Sequence, residues 1–164
     1  MERNYTKIYF LGIGGIGMSA LARYYMHEGY RVAGYDRTAT PLTRALEAEG
    51  AEVHYEDDIN LIPEDMRSAE DTLVILTPAI PADHMEWAWL RENGFHIEKR
   101  SQILGHISEG KLCMAVAGTH GKTTTSTLAA WLNHAAAKEG SAILGGVSRN
   151  FNSNLSLGEG KRLV

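Results

Sequence analysis

The sequence predicts an α/β protein made of two successive units, each built on a mainly parallel sheet with helices packed against it. Three observations carry this expectation. Short apolar runs alternate with segments of helical spacing from Lys7 to Ile107. Alternating strands and helices are joined by crossovers, which makes neighbouring strands parallel. The pattern then restarts at Lys111, and each unit opens on a strand that runs into a glycine-containing loop at the mouth of a helix.

Taken in order, Lys7 to Leu11 is apolar and strand-like and ends in Gly12. Ile16, Ala20, Leu21, Tyr24 and Tyr25 give Ile16 to Met26 a helical spacing, and Gly29 is placed to end that helix. Arg31 to Tyr35 reads as the second strand. Pro41 opens a second helix that runs to Glu49 and stops at Gly50. Glu52 to Tyr55 is a short third strand, and Thr72 to Leu76 is the clearest buried one, with Leu73, Val74, Ile75 and Leu76 in a row. Met85 to Glu92 is a helix carrying Trp87 and Trp89, which read as core or surface aromatics, and Gly94 ends it. His96 to Lys99 is a weak strand, and Ser101 is placed to cap a helix through Ile107.

Residues 105–110 replace the apolar pattern with Gly, His, Ser and Glu and read as a linker, which sets two domains, 1–108 and 109–164. In the second, Leu112 to Ala117 reads as a buried strand, Gly118 to Gly121 as a tight loop, Lys122 to Ala137 as a long helix and Ser141 to Leu144 as a further strand. The polar stretch holding Asn150, Asn152 and Asn154 reads as a plain loop, and Arg162 to Val164 begins another strand. So few elements do not complete a sheet, and the second domain is expected to be only a beginning.

Composition narrows the function classes. The chain is 44% hydrophobic and 22% charged with a net charge of -4, and it has no basic block, which argues against nucleic acid as a partner. Arg23, Arg31 and Arg37 are scattered and read as solvated. The single cysteine, Cys113, allows no internal disulfide and reads as a buried small hydrophobe in a reducing compartment. Nothing resembles a signal peptide or a run of roughly 18 apolar residues, so a soluble, cytoplasmic protein without a membrane segment is expected. His27, His54, His84, His96, His106 and His134 have no metal-ligand spacing and read as surface or packing residues.

The chemistry lies in the two loops. Gly12-Ile-Gly14-Gly15-Ile16-Gly17 contains the spacing G-x-G-x-x-G between a strand and a helix, and Asp36 stands 19 residues after Gly17 at the end of the second strand. Glycines there permit a tight turn and close approach of backbone N–H groups to a diphosphate, the helix start adds positive potential, and the acid can accept from ribose hydroxyls. The loop makes the first domain Rossmann-like and leaves a dinucleotide and a nucleoside diphosphate equally open. The second loop, Gly118-Thr119-His120-Gly121-Lys122-Thr123-Thr124-Thr125, lies where a P-loop surrounds phosphate oxygens. Lys122 would contact the β- and γ-phosphates of ATP, and the Thr123 hydroxyl would complete a Mg²⁺ shell. The general motif would need Gly at position 116, where the chain has Val116. The fold class is thus a Rossmann-like parallel sheet domain followed by the start of a P-loop α/β ATPase domain. A nicotinamide enzyme has no use for ATP, which turns the first loop towards a nucleotide-activated substrate. An NAD-linked oxidoreductase or regulatory domain, and a P-loop scaffold, are the competing classes.

The stretch Gly118 to Thr125 resembles the P-loop variant of the Mur ligases, the ATP-dependent amide-forming enzymes of peptidoglycan synthesis. Phe10 to Ser19 and Gly34-Tyr35-Asp36 resemble the first loop and second-strand end of those members that join L-alanine to UDP-N-acetylmuramate. The recycling members that add a tripeptide to the same nucleotide sugar are the alternative. The resemblance implies a UDP-sugar domain in which Gly14, Gly15, Ile16 and Gly17 offer N–H groups to the diphosphate and Asp36 orients the uridine end. It carries Thr77 into the substrate site but not Pro78, which lacks a donor. It implies a central ATP domain in which Gly118, Thr119, His120, Gly121, Lys122, Thr123 and Thr124 hold ATP, with Lys122 at the reacting phosphate and Thr123 on the metal; His120, within the loop, either faces the reacting phosphate as a catalytic residue or shapes the loop. The implied reaction makes an acyl phosphate from the lactyl carboxylate and ATP, which L-alanine then converts to an amide. It also implies that an acidic metal cluster and an amino-acid domain lie beyond Val164, so that residues 1–164 alone are expected not to form the amide.

Overall fold

A computed structural model describes residues 5–137 and 139–164 and divides the chain into two units, one up to Ile103 and one from Leu104. In the first, β1 (Lys7–Leu11), α1 (Ile16–His27), β2 (Arg31–Tyr35), α2 (Pro41–Ala48), β3 (Glu52–His54), β4 (Thr72–Leu76), α3 (Met85–Glu92) and β5 (His96–Lys99) follow one another as the periodicity predicts. The five strands are ordered β3-β2-β1-β4-β5, and every neighbouring pair is parallel. The chain winds outwards from β1 to β3 and then resumes on the other side of β1 at β4. The two halves part at the carboxyl ends of β1 and β4, the place where open α/β sheets bind ligands.

Both faces of this sheet are covered, so β1 is apolar without interruption and Ile8, Tyr9, Phe10 and Leu11 are all buried. Two single turns of 3-10 helix, Ile59–Leu61 and Glu64–Met66, carry the chain from β3 to β4 and set Ile62 and Met66 into the core beside Tyr9, Leu11, Val74 and Leu90. Trp87 and Trp89 pack half-buried against the same cluster. Helix α2 starts at Pro41 because Thr40 and Thr43 cap each other reciprocally, Thr43 N–H donating to Thr40 Oγ1 and Thr40 N–H to Thr43 Oγ1.

Gly34 pairs with Phe10 across β2 and β1, and a Cβ at Gly34 would lie 2.4 Å from the Phe10 carbonyl oxygen. Two hydrogen-bonded strands cannot part locally, so Gly34→Ala is expected to cost about 1–3 kcal/mol of stability. A lower urea midpoint with an unchanged slope checks this. An unchanged midpoint would show that the ladder yields freely.

Helix α4 (Arg100–Ser108) begins one residue before Ser101, which lies inside the first turn instead of capping it. The reason is Gln102, whose Oε1 accepts from Lys99 N–H at 2.9 Å and so closes the helix start from within. Residues 105–108 belong to this helix instead of a linker, and the chain leaves it through Gly110 at φ 70°.

The second unit contains β6 (Leu112–Cys113), α5 (Lys122–Ala135), β7 (Gly140–Ser148), β8 (Ser153–Ser156) and β9 (Arg162–Leu163). The strands are ordered β6-β9-β7-β8, with β9 parallel to both its neighbours and β8 antiparallel to β7. Ala130, Ala142 and Leu144 form its small core, with Phe151 and Val164 packed against them. Three expectations are corrected here. The run 112–117 is strand only at Leu112–Cys113, and Leu112 is 69% exposed. Cys113 is exposed as well, because β6 is an edge strand and no described element covers its side chains. The expected loop around Asn150 to Asn154 is the turn and return strand of a hairpin, in which Ile143 pairs with Leu155 and Asn154 is fully buried.

Candidate functional site

The first glycine-rich loop is held by the strand end beside it. Gly12 and Ile13 donate their N–H groups to the Tyr35 carbonyl at 2.8 and 3.0 Å, which ties the loop to the end of β2. Gly12 adopts φ +89°, and a Cβ there would strike Thr77 Cγ2 at 2.4 Å, so this position is closed to any side chain. Asp36 then reaches across, and its Oδ2 accepts from Gly14 N–H at 2.7 Å while its Oδ1 accepts from Thr38 N–H at 3.1 Å. The acid therefore braces the loop itself, occupying one of the donors that the sequence assigns to a diphosphate.

Beside the loop lies a cleft of about 590 Å³ at the carboxyl edge of the sheet. Of the sequence-predicted substrate residues, Gly15, Asp36 and Thr77 line it. Gly14 touches it through its bond to Asp36, Ile16 is 39% exposed at the start of α1, and Gly17 faces Arg100. The cleft also takes in Arg37, Asp57, Asp83 and His84, which sequence reasoning passed over. Arg37 was expected to be merely solvated, and here it forms part of the wall. Its position next to Asp36 at the end of β2 is the signal that could have found it.

Behind the wall runs a buried polar network. Asp57 accepts from the N–H groups of Met85 and Glu86 at 2.9 and 3.1 Å, holding the start of α3, and lies 3.1 Å from His84 Nδ1. Burial keeps the His84 imidazole below its ordinary pKa. Glu86, in the first turn of α3, is fully buried, with its Oε2 2.5 Å from Tyr9 Oη. Tyr9 Oη is in turn 2.7 Å from His54 Nε2. His54 Nδ1 lies 2.9 Å from the Glu56 carbonyl, which can only accept, so Nδ1 carries the proton and Nε2 is an acceptor. Burial, aided by the charge of Asp57, pushes the Glu86 carboxyl up to about 8. Tyr9 O–H donates to Glu86 Oε2, and the other carboxyl oxygen, Oε1, lies 3.5 Å from His54 Nε2.

The second loop is formed within the second unit. Gly121 takes φ 76° at the start of α5, a left-handed conformation that lets the loop turn straight into the helix. Lys122 folds back over the loop, its Nζ donating to the Gly118 carbonyl at 2.6 Å and the Thr119 carbonyl at 3.1 Å. Thr123 packs towards β7, where a Cβ on Gly145 would lie 3.2 Å from Thr123 Oγ1 and one on Gly146 3.0 Å from Thr123 Cγ2. Those two glycines leave the hydroxyl its space, a role the sequence did not reveal. Thr119, His120 and Thr124 are exposed, and no side-chain bond of His120 shapes the loop among the described residues.

These residues suit a triphosphate. The ammonium group is already clasped by the loop, and the helix start offers N–H groups with no acceptor one turn back. No three carboxylate, imidazole or thiol groups gather at one point among the described residues. The Thr123 hydroxyl is the oxygen at this helix start that could hold a Mg²⁺ ion.

Residues 7–112 match the family model described as Mur ligase family, catalytic domain. The chain is 50% identical over 158 residues to the UDP-N-acetylmuramate--L-alanine ligase of Porphyromonas gingivalis, covering 96% of this chain and 35% of that one. Among solved structures, the UDP-N-acetylmuramate-alanine ligase of Thermotoga maritima superposes with a TM-score of 0.85 at 32% identity, over 95% of this chain and 36% of the other. The UDP-N-acetylmuramate:L-alanyl-gamma-D-glutamyl-meso-diaminopimelate ligase of Neisseria meningitides shares the fold, with a TM-score of 0.87 at 24% identity over 98% of this chain and 52% of that one. The chain spans about a third of the length of the curated relatives it matches.

Proposed function

The chain belongs to the Mur ligase family, and from that premise we propose that it serves the ATP-dependent joining of L-alanine to the lactyl carboxylate of UDP-N-acetylmuramate in bacterial peptidoglycan synthesis. The nucleotide sugar occupies the cleft of the first unit, and ATP with Mg²⁺ occupies the loop of the second. We assign residues 1–108 to the first role and 109–164 to the second. The observation that supports this reading is the presence of two glycine-containing loops of different build, one beside a cleft and one with a lysine folded back over it. A dinucleotide enzyme accounts for the first alone. Such substrates belong to the cytoplasm, and no described helix is long and apolar enough to cross a membrane.

The chemistry follows from the charges. A carboxylate acylates poorly, so its oxygen attacks the γ-phosphorus of ATP, forming a C–O–P linkage as the bond to ADP breaks. The amine of L-alanine then adds to the acyl carbon, phosphate leaves, and the nitrogen loses a proton. Attacking and attacked groups are both anionic, so Lys122 acts by neutralising charge and fixing position. The metal ion supplies further neutralisation of the triphosphate. His120, exposed in the loop, is the proposed second contact to the reacting phosphate.

The test is a calorimetric titration of the chain with UDP-N-acetylmuramate beside NAD. Saturable binding of the nucleotide sugar is expected, and binding of NAD alone would overturn the proposal. Gly14 is the position to change, because a Cβ there would lie 2.6 Å from Thr43 Cγ2 and 2.8 Å from Asp36 Oδ2. At Gly15 the nearest atom would be an ordinary 3.5 Å away. Gly14→Ala is expected to weaken the sugar nucleotide about 10–100-fold, by displacing the loop from its brace.

A further inference from the structure

The third glycine of a G-x-G-x-x-G loop ordinarily makes room for helix and strand to pack closely. At Gly17 the neighbour is different. A Cβ there would lie 2.5 Å from Nη1 of Arg100 and 3.2 Å from both its Cδ and Cζ, so the guanidinium group lies directly against the glycine. Arg100 follows β5 at the same carboxyl edge of the sheet as the loop, and both residues belong to the first unit. Its side chain is exposed, and among the described residues no carboxylate pairs with it. The contrast with the paired arginines is plain. Arg23 bonds Glu49 at 2.7 Å, and Arg31 bonds Glu52 at 2.6 Å.

The charge balance of the loop says what such a cation is for. Asp36 has taken the Gly14 N–H and placed a carboxylate beside the loop. Left so, the loop would meet a dianionic diphosphate with one donor fewer and one negative charge more than its glycines suggest. A guanidinium seated on the first turn of α1 restores the balance, and its planar fork matches two phosphate oxygens. We propose that Arg100 is a diphosphate-binding residue of the first unit, and that position 17 is glycine in order to seat it. The inference rests on the reading of the cleft as a nucleotide-sugar site and adds to it the residue that discriminates a diphosphate from the bare nucleoside.

The experiment titrates the chain and its Arg100→Ala, Arg100→Lys and Gly17→Ala variants with UDP-N-acetylmuramate, UDP and uridine at low ionic strength. Arg100→Ala is expected to weaken both diphosphates about 10–100-fold and to leave uridine within about twofold. Arg100→Lys keeps the charge but not the fork and should fall between. Gly17→Ala dislodges the guanidinium and should match the loss in Arg100→Ala, and the double variant should add little to either, since both remove one interaction. Thermal melting checks each variant for folding. Undiminished UDP binding by Arg100→Ala, a parallel loss of uridine, or additive losses in the double variant would each overturn the role of Arg100 while leaving the cleft assignment intact. A parent chain that binds neither UDP nor the nucleotide sugar would overturn the cleft assignment itself.

Discussion

Lys122→Ala is expected to lower the affinity for ATP about 100-fold, equivalent to about 2.7 kcal/mol, the scale of a charge-assisted bond to phosphate. The lysine is already folded over the loop, with the Gly118 and Thr119 carbonyls holding its ammonium group at 2.6 and 3.1 Å. Binding a triphosphate there exchanges neutral carbonyl acceptors for anionic ones, so nearly the whole gain of the exchange depends on the one amine. Lys122→Arg should not restore it, because a planar five-donor group does not fit a cradle closed around a point charge. Titration with ATP and Mg²⁺ reads the loss, and titration with UDP-N-acetylmuramate serves as the control. That second ligand should bind unchanged, since its cleft lies in the other unit. ATP binding by Lys122→Ala at the parent affinity would remove the second loop from the proposed function.

The other large effect concerns stability and pH. Glu86 has an ordinary carboxyl value of 4.5 when unfolded and about 8 when folded. Between those values the native protein keeps a proton that the unfolded chain has released. Stability therefore falls as pH rises through this window, by up to about 1.4 kcal/mol per pH unit, and is flat with respect to this group on either side. The neighbouring imidazoles pull the other way. His54 and His84 are held below their ordinary values by burial, so they reduce stability as pH falls through the unfolded histidine value near 6.5. Glu86→Gln isolates the carboxyl. The amide oxygen can accept from Tyr9 O–H as the acid does, and the group cannot ionise. The stability difference between variant and parent should widen from pH 5 to pH 8 in favour of the variant, reaching a few kcal/mol. Urea unfolding at several pH values measures it, and a constant difference would mean that Glu86 is ionised throughout.

Most of the first unit was legible because its elements are amphipathic or fully apolar over their whole length. Thr72 to Leu76, Arg31 to Tyr35 and Met85 to Glu92 fall at the residues their patterns predict. The apolar run after Lys111 misled for a physical reason. Leu112, Cys113 and Met114 have the composition of a covered strand, yet burial depends on what packs over them, which composition does not contain. The hairpin of β7 and β8 was hidden for the opposite reason, since Asn154 reaches its buried place only through pairing with a partner strand. The two glycine-containing loops were plain in the sequence, because their glycines and Lys122 stand at a fixed spacing between a strand and a helix. The wall of the cleft was not. Arg37, Asp57 and His84 come from three separate connections, and only the strand order of the sheet brings them together. Glu86 gave no sign at all. A glutamate in the first turn of a helix is ordinarily a solvated partner of the helix start, and nothing local marks one that faces a tyrosine from β1.

The thiol of Cys113 is exposed and offers a natural labelling point. It is the single cysteine of the chain and stands on an edge strand of the second unit. A maleimide dye will attach there at one per molecule without any engineered residue. Two of the three tryptophans, Trp87 and Trp89, belong to the first unit. Indole emission and dye emission thus give two optical channels weighted towards different halves of one chain. Followed together during a melt, they will report whether the halves lose their structure in one transition or in two.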